Sequence, residues 1–600
     1  MSEGYWSGIL KERRSRRTVL SATGSGVLAA ALLSACGGSG ESGVDTSLIS
    51  RAVDTSKQAK RTGTIKASLG ADVGNFDPHF TQITSHTPRI MAYNTLLGLK
   101  AGHLEEQDGS VEGYLAESWE LSPDRLTLTL KLRTNAGFAP GPPANGRMMD
   151  ASDVIYSWER FAKVGTNRAL LANSANPEAP VLSMTAPDSH TVVAKLREPL
   201  AAVLSSFATP GLMIIPKDSE TQVDLRTAQA GTGAFYRVAY EPSSRVVYKR
   251  NPNFFMKDVP LAETVELPII AEYAAGLAQF RAGSIHTYAV RPEEVLSIKH
   301  DVPELSLYQA EMATPNVLAF FGWRATNPAK TPFRDVRVRQ AFSMAWDRDL
   351  FIDVAYNVEE YRKQGLPVDT AWNTCLYCTA YKGWWIEPRS KEFGENRKFF
   401  EKNVAEAKKL LSAAGHANGL DIVSNHETGT GYGRDFPKQV EVLLGMTQEA
   451  GFRTTISPVG FNTNWVPEFR DAKGDFEGMA WRGIAAEVDV GNRLYDEFSA
   501  KGNRFSGFDP EGKGSFAGDP YVEDLLLKIR REFDDTKRKA LATDVQRHFG
   551  KMMYIIRNPG GATGFALAWP ALKNFNVFTG DPIPYSKYWI DESLPPLKRS

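Results

Sequence analysis

The three cysteines are the residues of this 600-residue chain with the most distinctive chemistry. Cys375 and Cys378 form a CxxC pair, which closes a small disulfide loop in an oxidising compartment and carries redox catalysis or half a zinc site in the cytosol. No second CxxC and no nearby histidine pair completes four zinc ligands. The spacing favours a structural disulfide between Cys375 and Cys378, with a free thiol pair and a redox or metal role as alternatives.

The motifs of common enzyme classes are incomplete. Residues 507–514 nearly match a phosphate-binding loop, but Gly514 stands where Ser or Thr must ligate the metal. Residues 429–433 lack the full dinucleotide fingerprint, and the chain has no HExxH or GxSxG motif. Among nine histidines, only His79 and His86 come loosely near metal-ligand spacing. We therefore expect no catalytic residue, no metal site and no cofactor.

Composition narrows the class of protein. The 70 basic and 70 acidic residues balance, and no long block of one sign occurs, so nucleic acid is not an expected partner. With 42% hydrophobic and 23% charged residues, the chain can bury a large core, and its length predicts several domains. Beyond the first 40 positions it has no uncharged apolar run of about 18 residues, the length of a membrane span.

The first 35 residues are typical of a bacterial export signal. Residues 15–20, Ser-Arg-Arg-Thr-Val-Leu, are similar to a twin-arginine signal, and a weakly apolar stretch follows at 27–33. Next comes Leu-Ser-Ala-Cys at 33–36, which resembles the lipobox at which lipoproteins are cut and acylated on the cysteine. The Gly- and Ser-rich run at 37–43 predicts a flexible tether. We expect Cys36 to carry a lipid anchor.

Several elements that would position a site can be assigned from periodicity. Residues 126–133 alternate apolar and polar side chains, which predicts a half-buried strand, and residues 191–197 are similar. Asp150 and Asp335 precede amphipathic helical patterns as caps, and Gly415 follows one as its C-terminal stop. Beyond Gly415, strand and helix patterns alternate, as in α/β proteins.

A series of sequence blocks resembles the extracellular solute-binding proteins of ABC importers, in the family 5 class that serves peptides and nickel. Each block alone is weak, but they occur in the family's order across most of the chain after the signal. The first block departs from the family by having Arg125 where Gly is usual. The blocks lie at 115–124, 145–154, 231–235, 250–255, 333–341 and 405–419.

The resemblance implies an α/β, two-lobed periplasmic-binding-protein-like fold with hinge strands and an extra mixed α/β domain inserted in lobe one. A ligand bound between the lobes would stabilise the closed state that the importer recognises. The expected boundaries are 1–35 signal, 36–61 tether, 62–105, 213–330 and 560–600 lobe one, 106–212 inserted domain, and 331–559 lobe two.

Candidate ligand-binding residues are those expected near the crossings between lobes. Peptide-binding relatives hold the ligand's amino terminus with an Asp shortly after a Trp, and here that pattern is broken after Trp481, with Glu487 or Asp489 as possible substitutes. For each candidate, a structural turn or core packing is the alternative. An aromatic segment around the CxxC pair either lines a pocket or packs on lobe two. The candidates are Phe76, Asp77, His79, Phe321, Trp323, Asn462, Asn464, Trp465, Trp481, Glu487 and Asp489.

The sequence therefore predicts a monomeric, membrane-tethered receptor outside the cytoplasm, in the periplasm or at the cell surface. It would capture a peptide or similar organic solute and deliver it to the permease and ATPase of an ABC transporter. A metal chelate or a carbohydrate is the alternative ligand. An exported enzyme that acquires a cofactor before twin-arginine export is the alternative class.

Overall fold

The computed structural model of the protein describes residues 48–80, 85–323, 330–427, 432, 435–483, 489–510, 517–578, 580 and 582–598. The signal segment 1–35, Cys36 and Glu487 lie outside the described residues, and so does the side chain of Asn462. Within the described ranges, the buried apolar side chains form two separate hydrophobic cores.

The first core is built from short strands and four helices. The strands are β1 (Thr64–Lys66), β2 (Leu97–Leu99), β3 (Val111–Gly113), β4 (Ala116–Leu121), β5 (Thr127–Leu132), β6 (Val181–Asp188), β7 (Thr191–Leu196), β8 (Phe235–Glu241), β9 (Arg245–Arg250) and β10 (Thr264–Pro268). The helices are α1 (His86–Ala92), α2 (Ala151–Val164), α3 (Val203–Ala208) and α4 (Ser219–Gln222). Two four-stranded sheets, ordered β1-β10-β9-β8 and β4-β5-β7-β6, share this one core.

The local patterns of the sequence are confirmed here. Leu128, Leu130 and Leu132 of β5 all point into the core, as the alternation predicts. Asp150 caps α2: its carboxylate accepts a hydrogen bond from the Ser152 amide at 2.8 Å, while the Asp153 carboxylate accepts one from the Asp150 amide at 3.0 Å. These two hydrogen bonds satisfy backbone amides at the start of α2.

The second core surrounds a five-stranded sheet. The strands of this half are β11 (Ser306–Ala313), β12 (Leu318–Phe321), β13 (Thr370–Trp372), β14 (Leu420–Glu427), β15 (Phe452–Val459), β16 (Met479–Arg482), β17 (Ile555–Arg557) and β18 (Gly560–Ala568). The helices are α5 (Tyr273–Arg281), α6 (Val295–Asp301), α7 (Val336–Met344), α8 (Arg348–Tyr356), α9 (Val358–Lys363), α10 (Val404–Ala413), α11 (Phe436–Thr447), α12 (Val490–Phe498), α13 (Pro520–Arg531) and α14 (Asp535–Met552). The sheet order is β15-β14-β16-β12-β17.

Strand direction decides which residues meet at one edge of this sheet. β14 runs parallel to β15 and β16, while β12 runs antiparallel to both β16 and β17. The carboxyl ends of β14, β15, β16 and β17 therefore lie at the same edge. Ligands of open α/β sheets bind outside that edge.

A three-stranded sheet, β11-β18-β13, lies where the chain passes between the cores. Buried residues of the first core run up to Leu267, and those of the second core run from Phe280 to Trp569. The first core resumes at Ala568 and Leu572. A final pair of strands, β19 (Leu572–Lys573) and β20 (Trp589–Ile590), packs there. Since β12 pairs with β16 and β17, the second core begins earlier in the chain than the expected boundary at 331.

The described part of the expected tether is packed against the protein. The Ser50 amide donates to the Leu307 carbonyl of β11 at 2.7 Å, and Trp589 Nε1 donates to Thr55 Oγ1 at 2.9 Å. These contacts fix the chain from about residue 49 onward. In the part of the chain that the structure describes, we find no helix with the length and apolarity of a bilayer span.

Candidate functional site

An open cavity lies between the two cores. Its wall on the first core comes from the end of α2, the loop after it, and α3 with the turn that follows. Its wall on the second core comes from α12 and Arg504. Apolar Phe161 and Leu171 face polar groups such as Asp496 across the cavity. This combination of an apolar surface and a few polar groups is typical of pockets for small organic molecules.

Polar contacts join the two walls beside the cavity. Tyr495 Oη donates to Glu178 Oε2 at 3.2 Å, and Asn492 Nδ2 donates to Ser206 Oγ at 3.4 Å. Glu198 pairs with Arg530 and Arg531 of α13, with nitrogen to oxygen distances of 3.4 and 3.0 Å. Such contacts can break and reform as the lobes open and close.

A row of residues crosses the carboxyl edge of the five-stranded sheet in the second core. Leu318 lies opposite both Arg482 and Arg557, and Asn425 opposite Ala480, so Glu427 continues the row beside Arg482. We call Glu427, Arg482, Leu318 and Arg557 the edge row.

The charges of the edge row are buried. Arg557 Nη2 donates to Glu497 Oε2 of α12 at 2.7 Å, and both side chains are fully buried. Arg482 Nη1 donates to the carbonyl of Arg504, a residue of the cavity wall, at 3.0 Å. Burial lowers the pKa of Arg482 to about 10, so this guanidinium is still charged at neutral pH. The Arg504 carbonyl thus links the edge row to the wall of the cavity.

Asp489 is the candidate from the broken peptide pattern that the structure describes. It lines the cavity, but its carboxylate caps α12 by accepting from the Asn492 amide at 2.7 Å. It also accepts from Arg538 Nη2 at 3.1 Å. Its oxygens already have partners within the protein. The other candidate, Glu487, lies outside the described residues.

The aromatic candidates lie inside the second core. Trp481 stacks on Trp346 and donates to Ser424 Oγ at 2.9 Å, and Phe321 stacks on Phe333. Trp323 lies against the guanidinium of Arg339, 4.7 Å from the ring centre.

The candidates after β15 lie on a wide helical segment, Phe461–Arg470. Trp465 is buried and stacks on Phe461, with Tyr432 edge-on to it. Asn464 is exposed and donates to Glu468 Oε1 at 2.8 Å. This segment packs beside the carboxyl end of β14 without placing Asn464 in the cavity.

Phe76, Asp77 and His79 form part of a buried cluster in the first core. The Asp77 carboxylate accepts from Arg160 Nη1 of α2 at 3.0 Å, and the same nitrogen donates to His79 Nδ1 at 3.0 Å. His79 Nε2 donates to the Met213 carbonyl at 2.9 Å. Burial lowers the pKa of His79 to about 4, so the ring is neutral. Phe76 packs edge-on against Tyr240.

The structure corrects the expected disulfide. Cys375 and Cys378 are both thiols, and burial raises the pKa of Cys378 to about 12. Hydrogen bonds close the loop instead: the Cys378 amide donates to Asn373 Oδ1 at 2.8 Å, and Arg557 Nε donates to the Cys375 carbonyl at 2.5 Å. The loop places the ring of Tyr377 against Arg557, 4.1 Å from its guanidinium carbon.

Comparison with known proteins identifies the family to which the chain belongs. Residues 110–504 match the family described as bacterial extracellular solute-binding proteins, family 5 Middle. The chain belongs to the bacterial extracellular solute-binding proteins of family 5. In the solute-binding protein, the cavity lies between the two cores.

Individual relatives agree with the family assignment. The solute-binding protein is 23% identical to di/tripeptide-binding protein 2 of Pseudomonas aeruginosa strain UCBPP-PA14, over 84% of this chain and 90% of that protein. It superposes with a TM-score of 0.69 on an ABC transporter-associated periplasmic binding protein of Helicobacter pylori in complex with the peptide STSA. That match has 21% identity and covers 89% of this chain and 99% of the other.

A binding protein from A. tumefaciens R10 in complex with agropinic acid also superposes, with a TM-score of 0.66 and 19% identity, covering 88% of this chain and 99% of that chain. The expected two-lobed α/β fold is thus confirmed.

Sequence reasoning missed Glu427, Glu497, Arg504 and Arg557 of the solute-binding protein. The signal that could have found Glu427 is its position at the carboxyl end of β14, a strand with parallel neighbours. Glu497 and Arg557 carry no local signal, because their pairing joins residues 60 positions apart.

Substitution of Asp77 tests whether this residue stabilises the fold or contacts the ligand. We expect Asp77→Asn to lower the free energy of unfolding by about 3 kcal/mol, because Arg160 loses the charge that balances it in a buried site. Solute affinity should stay unchanged. Chemical denaturation and titration calorimetry measure the two quantities.

Asp224→Asn is the control, since Asp224 pairs with Arg226 on the exposed surface and its substitution should change neither. A loss of affinity without a loss of stability in Asp77→Asn would instead place Asp77 in the ligand site.

Proposed function

We propose that this protein is an extracytoplasmic receptor that captures a peptide or similar small organic solute between its lobes and delivers it to an ABC importer. The observation that carries the proposal is the cavity with one wall from each core. A ligand that contacts both walls binds the closed state more tightly than the open state, and so shifts the population toward closure.

The named relatives support peptides as the first class to test, since one is named as a di/tripeptide-binding protein and another was solved with the peptide STSA. The complex of the A. tumefaciens protein with agropinic acid supports testing organic acids too.

We also infer that Cys36 carries the lipid anchor and that the twin-arginine signal directs export. The lipobox ends at Cys36, and the chain meets the folded protein again at Ile49, which bridges to Leu307. These 13 residues span at most about 45 Å when fully extended. The receptor would therefore stay close to the membrane that holds its permease.

Lobe closure gives a direct test of the receptor function. Glu198→Gln removes a charge that joins the lobes without touching the cavity. We expect solute affinity to fall about two- to fivefold, because a partly exposed ion pair contributes modestly to the closed state. Titration calorimetry against dipeptides, tripeptides, sugars, organic acids and metal chelates identifies a solute and measures the change.

Glu241→Gln is the matched control, because Glu241 pairs with Arg245 inside one lobe and its loss should leave affinity unchanged. The proposal fails if no solute of any class binds, or if native mass spectrometry finds one cofactor of fixed mass, as an exported enzyme would carry.

Anchoring is tested by cell fractionation and mass spectrometry in a bacterial host that processes lipoproteins. We expect the wild-type chain in the membrane fraction, cut before Cys36 and acylated on it, and Cys36→Ser released from the membrane. The double variant Arg16→Lys, Arg17→Lys should stay uncut in the cytoplasm. An unmodified Cys36 at the mature terminus contradicts the anchor.

A further inference from the structure

Two opposite charges of the edge row stand side by side without pairing. Asn425 of β14 lies opposite Ala480 of β16 in parallel register, so Glu427 and Arg482, two residues further on, emerge on the same face of adjacent strands. Adjacent strands are separated by about 4.8 Å. Nevertheless, no ion pair joins Glu427 to Arg482 among the contacts of the described residues.

Each of these side chains has polar atoms left over. Glu427 Oε1 accepts from the Tyr432 amide at 2.9 Å, but Oε2 is buried and has no hydrogen-bond partner within the described part of the chain. Arg482 uses Nη1 on the Arg504 carbonyl, while its buried Nε and Nη2 have no partner there either. Glu427 is 0% and Arg482 2% exposed.

Buried polar atoms without partners are costly and rare in folded proteins. The chemistry of these unpartnered atoms indicates which ligand groups would form hydrogen bonds with them. The Nε and Nη2 groups of Arg482 point to a carboxylate, which such a guanidinium edge binds with two parallel hydrogen bonds. The free carboxylate oxygen of Glu427 requires a donor, and a protonated amine supplies both the donor and the balancing charge.

The neighbouring charged residues that the structure describes do not supply partners for the free polar atoms of Arg482. Glu497, whose negative charge favours the charged form of Arg482, already holds Arg557 at 2.7 Å. Arg504 and Arg557 add positive charge beside Arg482. An anionic group at Arg482 would therefore meet a buried guanidinium whose Nε and Nη2 have no acidic partner among the described residues.

The spacing selects the kind of molecule. A free α-amino acid group carries its amine and carboxylate on one carbon, which matches two side chains one strand apart. An extended tripeptide places its two charged ends about 10 Å apart. The ring of Phe320 lies against Arg482, 5.3 Å from its guanidinium carbon. Arg482 also donates to the carbonyl of Arg504, a residue of the cavity wall, so the rest of the solute would lie toward the cavity.

We propose that Glu427 and Arg482 are the specificity-determining pair of the receptor, and that its solute carries a free α-amino acid group, with the amine on Glu427 and the carboxylate on Arg482. This inference rests on the proposed receptor function and names the substrate class of the same cleft.

Ligand chemistry tests the pair in the wild-type chain. The probes are free α-amino acids with tails from alanine to Nε-acetyllysine, each with its N-acetyl and amide derivative, and trialanine for comparison. Titration calorimetry should show binding of one or more free forms. Each blocked derivative should bind at least about tenfold more weakly, since one buried charge then lacks its partner.

Variants assign each charge to its residue. Glu427→Gln should weaken the free probe at least about tenfold without further weakening the N-acetyl form. Arg482→Gln should weaken binding of the free probe at least about tenfold without further weakening binding of the amide form, which lacks the carboxylate. Asp421→Asn is the control, since Asp421 lies on the same strand, β14, but pairs with Arg453 on the surface, and should bind every probe as the wild type does. Thermal denaturation without solute checks that each variant folds, and the wild-type titrations decide the matter if one does not.

The outcomes separate this inference from the receptor function. Blocked derivatives or trialanine that bind as tightly as the free amino acids would overturn the inference and leave the receptor function standing. Failure of all these probes, while a sugar or a metal chelate binds, would do the same. If no solute of any class binds, both proposals fall.

Discussion

The buried ion pair between Arg557 and Glu497 is the contact on which the cleft face of the second lobe depends. Both side chains are fully buried at 2.7 Å, and Arg557 also holds the Cys375 carbonyl and the ring of Tyr377. Removing either charge would leave the other uncompensated in the interior, which is strongly destabilising. The pair therefore holds β17, α12 and the CxxC loop together as one wall.

That wall is placed next to the hinge. β17 ends at Arg557, and β18 of the three-stranded sheet β11-β18-β13 begins at Gly560. Arg557 of the edge row therefore lies close in sequence to the strand that leads back toward the first lobe. Each lobe has its own core, and within the described residues the chain passes between the cores after Leu267 and again after Trp569. The lobes can then move as rigid bodies about a few backbone positions. The polar contacts of Glu178 and Glu198 join the two lobes beside the cavity.

The sequence predicts the scaffold better than the site. The Leu face of β5 and the cap at Asp150 are local patterns, and local patterns survive folding when the tertiary structure agrees with them. The candidate site depends on long-range pairing: Asp77 contacts Arg160, 83 residues away, and the CxxC loop is closed by Asn373 and Arg557 instead of by sulfur. Aromatic residues such as Trp481 have the same sequence signal whether they pack in a core or stack on a ligand. Glu427 could have been found only from the true end of β14.

Hydrogen–deuterium exchange with and without the tightest-binding solute tests the central claim, that one solute is held by both lobes. We expect new protection at 165–171 and 203–212 on the first lobe together with 490–504 on the second, because a closed cleft shields both walls. The hairpin of β8 and β9 is remote from the cleft and should exchange unchanged. Protection confined to one wall, or no change in either, would contradict binding between the lobes.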